Sequence, residues 1–205
     1  MSIIYGFDPS KSTGFAIYDT SRHYSSIKCG VLEMPKGADH YFTGDQIGLK
    51  VKTLIKENGR PDFVVLEQQI LAKVGNTSAD AMIYPWIATS AIVATIANFG
   101  IPYGTLMPST WRKSFYGQSF LPPLDTKGKK DWKSAAVAHC EQLGITLPPQ
   151  KALGHNAAEA CALAICWGVK DMKLHAGRYH APWVSLIQSR NERAPAGDLF
   201  AGAGA

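Results

Sequence analysis

Two short apolar runs in this chain each lead into an acid. Ile3-Ile4-Tyr5-Gly6-Phe7 runs into Asp8, and Phe63-Val64-Val65-Leu66 runs into Glu67. Continuous β-rich runs of this length, bounded by turn residues, read as buried strands. If the two strands are parallel neighbours, both carboxylates project from one edge of a sheet. Open sheets usually place their ligands at that edge. Asp8-Pro9-Ser10-Lys11-Ser12-Thr13-Gly14 is turn chemistry. It joins the first strand to Phe15-Ala16-Ile17-Tyr18 as a hairpin.

The remaining pattern fills in an α/β domain. A third strand is expected across Ser25 to Met34. A helix is expected over Phe42 to Asn58, with Ile47, Val51, Leu54 and Ile55 on one face and Gly59-Arg60-Pro61 ending it. Thr77 or Ser78 can cap a long helix through Ala97, with Pro85 near its start. Ile101 to Leu106 reads as a strand, Pro108 to Phe115 as a short helix, and Gly117 to Gly128 as a loop. Helices follow over Lys130 to Leu143 and, Ala-rich, over Asn156 to Val169. The order predicts a mixed sheet, hairpin first, with helices on its faces. With 46% hydrophobic and 18% charged residues, the 205-residue chain is a packed globule rather than a disordered one. No boundary interrupts it before about residue 175; residues 176–205 form an extension whose end is rich in Gly and Ala.

The nearly uncharged stretch Ala81 to Thr110 contains Pro85, Gly100, Pro102, Gly104 and Pro108, and reads as a buried helix and a strand, not a membrane span. The first residues show no signal-peptide pattern. Cys29, Cys140, Cys161 and Cys166 match no zinc spacing and are expected as free thiols, mostly buried, in a reducing compartment.

A third acid, Glu159, lies near the start of the Ala-rich helix, with Asn156 and His155 three and four residues before it. These positions share a helix face. Singly, Asp8 is an Asx-turn residue, Glu67 a solvated strand end, and Glu159 a first-turn acid favoured by the helix dipole. Jointly, all three fall where elements change, beside apolar strands. Gathered carboxylates repel, and a cation is the usual reason to tolerate them. An oxygen-rich, sulfur-free set favours Mg²⁺ or Mn²⁺, and a pair of such ions suits phosphodiester cleavage.

Three segments carry a family resemblance. Gly6-Phe7-Asp8-Pro9-Ser10-Lys11-Ser12-Thr13-Gly14-Phe15-Ala16 resembles the first motif of the RuvC-type Holliday junction resolvases. Leu66-Glu67-Gln68-Gln69-Ile70-Leu71-Ala72-Lys73 resembles their second motif, and Asn156-Ala157-Ala158-Glu159-Ala160-Cys161-Ala162-Leu163-Ala164 their last. The order and spacing agree over roughly residues 3–170. The resemblance implies an RNase H-like fold, α/β with a five-stranded mixed sheet flanked by helices, over residues 1–175. It implies a crossover junction endodeoxyribonuclease: a homodimer that resolves four-way DNA by paired symmetric nicks, using two Mg²⁺ ions, or Mn²⁺, per site. It carries Asp8, Glu67, Asn156 and Glu159 over as metal ligands and catalytic residues, with His155 in support. Asn156 stands where the family usually has Asp or His, and Glu159 where it has Asp. Together with the free thiols, it places the chain in the cytoplasm, as a protein of bacterial or phage type.

The positive charge is concentrated. Between Trp111 and Lys133 lie Arg112, Lys113, Lys127, Lys129, Lys130 and Lys133 against Asp125 and Asp131, which is four of the chain's net five charges. Trp111, Phe115, Tyr116, Phe120 and Trp132 are interleaved. Basic residues track phosphates and aromatics stack on unpaired bases, so Arg112, Lys113, Lys129, Lys130 and Lys133 are expected to bind DNA. By resemblance, Arg112 and Lys133 fall near the cleaved phosphate, and Lys133 joins the catalytic set. Ile70 stands where the family often has an aromatic aimed at the junction centre; as a wedge it can still part bases, and Lys73 adds a backbone contact. The apolar helix Ala79 to Ala97 is the candidate dimer interface. Gly197-Asp198-Leu199-Phe200 resembles the end of peptides that bind the bacterial sliding clamp, which would add a clamp as partner through Leu199 and Phe200. The alternative function is a branched-DNA-binding protein with weak or lost cleavage. An actin-like phosphotransferase needs two such domains, for which the chain has no room.

Overall fold

Side-chain alternation along the first strand sets the architecture. In the computed structural model, which describes residues 2–70 and 79–172, β1 (Ile3–Asp8) sends Tyr5 and Phe7 into one hydrophobic core and Ile4 into another. Successive strand residues point to opposite faces, so a strand buried at both needs a layer of helices on each side. One layer is α1 (His40–Asn58) and α2 (Ala79–Asn98), packed on Tyr5, Phe7, Val64 and Leu66. The other is α3 (Pro108–Tyr116), α4 (Trp132–Gln142) and α5 (Lys151–Met172), packed on Ile4, Ala16, Tyr18 and Val65.

The sheet contains β2 (Thr13–Asp19), β3 (Lys28–Leu32), β4 (Phe63–Glu67) and β5 (Tyr103–Leu106) besides β1, in the order β3-β2-β1-β4-β5. β1 pairs antiparallel with β2 and parallel with β4, and β4 pairs parallel with β5. This is the mixed, hairpin-first sheet that the sequence predicts. The register sets Phe7 beside Leu66, so Asp8 and Glu67 sit side by side one step further on. Both share the parity of Ile4 and Val65 and therefore face the α5 layer.

The α5 helix lies directly on the sheet. A Cβ at Gly6 would overlap the Ala160 carbonyl oxygen, and one at Gly14 would overlap that of Asn156. Ala157, Ala158, Ala160, Ala162 and Ala164 are fully buried. Small residues on both surfaces are what allow so close an approach.

Two boundaries differ from expectation. The Ala-rich helix begins at Lys151, not Asn156, so Glu159 lies two turns inside it and is not a first-turn acid. The third strand is shorter than Ser25 to Met34, because Tyr24–Ser26 forms a 3₁₀ turn capped by the His23 ring. Cys140, Cys161 and Cys166 are buried free thiols and Cys29 is half-buried. Among the described residues no helix is long and apolar enough to cross a membrane. Thr77 and Ser78, Lys73, the Leu199-Phe200 pair and the 176–205 extension lie outside the described residues.

Candidate active site

Asp8 ends β1, Glu67 ends β4, and Glu159 reaches them from the overlying helix α5. Asp8 and Glu159 are both buried, at 8% and 6% exposure, where an unpaired charge is costly. Burial foremost, then the charges of Glu159 and Glu67, pushes the Asp8 carboxyl well above its ordinary value; Lys133 opposes the shift. Glu67 thus stands near enough to Asp8 for its negative charge to disfavour a second one there. Burial and then Glu67 push Glu159 up as well, against Lys133 and Arg112.

Helix α3 supplies the groups that hold these acids. The Trp111 Nε1–H donates to Glu67 Oε1 at 2.8 Å. Arg112 Nη2 lies 3.5 Å from Glu159 Oε1, and its guanidinium sits 5.1 Å from the ring centres of both Trp111 and Trp132. Asn156 donates from Nδ2 to the Ser12 carbonyl at 2.7 Å, which ties α5 to the hairpin turn and leaves Oδ1 as a neutral oxygen donor. Burial, Lys133 and Lys151 lower the ring of His155. That environment favours the neutral ring.

Of the residues singled out from sequence, Asp8, Glu67, Asn156, Glu159, Arg112 and Lys133 converge, with His155 beside them. Lys113, Lys129 and Lys130 are exposed on the segment after Arg112, and Ile70 is 57% exposed beyond the end of β4. The interleaved aromatics divide: Trp111, Phe115 and Tyr116 are buried and cannot stack on bases, whereas Phe120 and Trp132 remain partly accessible. Trp111 reads as plain core in the sequence. Its role at Glu67 is signalled only by the general rule that a buried indole N–H seeks an acceptor.

Among the described residues, no three His, Cys, Asp or Glu side chains are gathered closely enough to hold one ion as they stand. Glu67 and Glu159 each have an oxygen engaged by α3, through Trp111 and Arg112 respectively. The donor set nevertheless fits a hard divalent cation. It is all oxygen, three of its members are carboxylates, and the guanidinium that pairs with Glu159 is a group a cation can displace.

Trp111→Phe keeps the ring and removes the N–H. The protein should fold, by circular dichroism, and any metal-dependent nicking should fall roughly 10–100-fold, as expected when the group orienting a ligand is lost. Unchanged nicking would show that Trp111 only packs.

No protein-family model matches the chain, and no curated protein sequence matches it. Solved structures do. Thermus thermophilus RuvC in complex with a Holliday junction substrate aligns with a TM-score of 0.60 at 15% identity, over 80% of this chain and 92% of that one. A further T. thermophilus RuvC structure aligns at 0.53 and 18% identity, over 80% and 91%. The yeast mitochondrial Holliday junction resolvase Ydc2 aligns at 0.51 and 10% identity, over 92% and 83%. At these identities the likeness is one of fold, and the chain has the RNase H-like α/β fold of the RuvC-type resolvases.

Proposed function

We propose that the chain is a divalent-metal-dependent endonuclease acting on branched DNA, with the four-way junction as its substrate. One observation carries the reading: Asp8, Glu67 and Glu159, from three separate elements, meet on one face at one sheet edge, two of them buried. The fold shared with two junction resolvases supports the substrate class. Asp8, Glu67, Glu159 and the Oδ1 of Asn156 would hold Mg²⁺, which supplies Lewis-acid stabilisation of charge on phosphate oxygens when bound. Arg112 and Lys133 add positive charge where the cleaved phosphate would lie. His155, beside them, would take up a proton at its ring. The exposed lysines 113, 129 and 130 track the flanking backbone. Paired nicks in a symmetric junction require two sites related by a two-fold axis; the α2 face bearing Ile83 and Trp86, at 41% and 39% exposure, is the surface for a second copy.

The pairing of Arg112 with Glu159, which occupies one carboxylate, is the observation that favours the alternative of a junction binder with weak cleavage. The deciding assay sets end-labelled four-way junction, fork, flap and linear duplex against the protein with Mg²⁺ or Mn²⁺. The expected result is nicks at symmetric positions in the junction and none in the duplex. A gel shift without nicks in either metal would establish the binder instead.

A further inference from the structure

A cavity of about 490 Å³ opens beside the carboxylates on the α3 side. Arg112 and Lys113 of α3, Phe120 and Leu121 of the loop after it, Lys130, and Trp132 at the start of α4 supply its walls. No acid is among the described residues lining it. Three cations and two aromatic rings around one concavity select a ligand that is both flat and attached to anions. Tyr116 backs one face of the Phe120 ring, with centroids 4.5 Å apart and planes 16° apart, and Phe120 remains 37% exposed. The ring is thus held from behind and still open to a partner. The Trp132 ring lies 6.3 Å from it. A nucleobase with its flanking phosphates answers this description, and the volume suits a group of that size.

Arg112 connects the cavity to the catalytic centre, because it both lines the cavity and pairs with Glu159 at 3.5 Å. A nucleotide held there belongs to the strand whose phosphate lies at the carboxylates. A base stacked in a duplex cannot enter such a pocket. One at a branch point is unpaired at small cost, so occupancy would itself favour branched over linear DNA.

We propose that this cavity receives one unpaired base of the strand to be cut, stacked on the open face of Phe120 with the tilted Trp132 ring beside it, and with its phosphates on Arg112, Lys113 and Lys130. The inference rests on the reading of the chain as a junction-cutting nuclease. It is tested by thermodynamic coupling in the full chain carrying Asp8→Asn, which keeps the DNA intact with Mg²⁺ present. Junctions with a single abasic site are made for each position within about three nucleotides of the branch, and affinities are measured with and without Phe120→Leu, a change that keeps apolar bulk and removes the stacking face. At one position the effect of the missing base should differ between the two proteins by roughly 5- to 100-fold, the range for one base–aromatic stack. Junction binding with equal sensitivity to every abasic site in both proteins would overturn the pocket and leave the nuclease reading standing. Failure of the protein to bind junctions at all would overturn both.

Discussion

Asp8→Asn is expected to lower junction nicking by on the order of 10³-fold or more, the scale of losing a central transition-state contact, while the protein becomes more stable in the absence of metal. Both follow from one geometry. In the fold the Asp8 carboxyl is held above its ordinary value by burial, Glu159 and Glu67. A raised carboxyl favours the fold below the ordinary carboxylate range, and that contribution is lost as pH rises through the raised value. Near pH 7 the buried carboxylate is therefore a burden. The amide removes that charge. Thermal melts in EDTA should show Asp8→Asn above wild type near pH 7–8, with the gap closing as the pH falls toward the ordinary carboxylate range. Gel shifts should show junction binding retained. A stabilised, inactive, binding-competent variant is the pattern of a catalytic group kept at a cost to stability.

Gly14→Ala should damage the fold more than any surface change. Gly14 lies opposite Asp8 in the hairpin register, and an added Cβ would overlap the backbone oxygen and carbon of Asn156. Backbone cannot move aside as a side-chain tip does, so α5 must lift from the sheet, carrying Asn156 and Glu159 away from Asp8. The expected cost is about 3 kcal/mol or more, or roughly 6–12 °C in melting temperature for a chain of this size, with activity lost even where the protein remains folded. Gly48→Ala on α1 is the matched control. Its Cβ would meet only the Thr95 hydroxyl at 3.2 Å, and alanine gains about 0.5–1 kcal/mol over glycine inside a helix. That variant should melt at or slightly above wild type. If both variants melt alike, the close approach of α5 is not what holds the site.

The strand edge was readable because local pattern and chemistry coincide there. A β-rich run that ends on an acid states both the element and the direction of its last side chain, and Asp8 and Glu67 meet as those runs imply. The start of α5 was not readable. Gly154 sits inside the helix, where a Cβ would come within 3.0 Å of the Pro148 carbonyl; the glycine lets the chain entering the helix fold back against its first turn. Trp111 was missed for a related reason. Its partner Glu67 lies 44 residues away in sequence, and a tryptophan between Thr110 and Arg112 gives no local sign that its N–H is spoken for. The pairing of Arg112 with Glu159 adds a contact that its place in a basic run does not announce. A pairing between side chains on different helices is decided by packing, not by local pattern.

The central claim is that Asp8, Glu67 and Glu159 form one cation site. Calorimetric titration of Mn²⁺ and Mg²⁺ into the DNA-free protein tests it most directly. Saturable binding with proton release is expected, visible as heats that vary with the ionisation enthalpy of the buffer, because a cation draws the proton from the raised Asp8 carboxyl. Asp8→Asn and Glu159→Gln should each weaken that binding by at least about tenfold. Identical isotherms for wild type and both variants would contradict it.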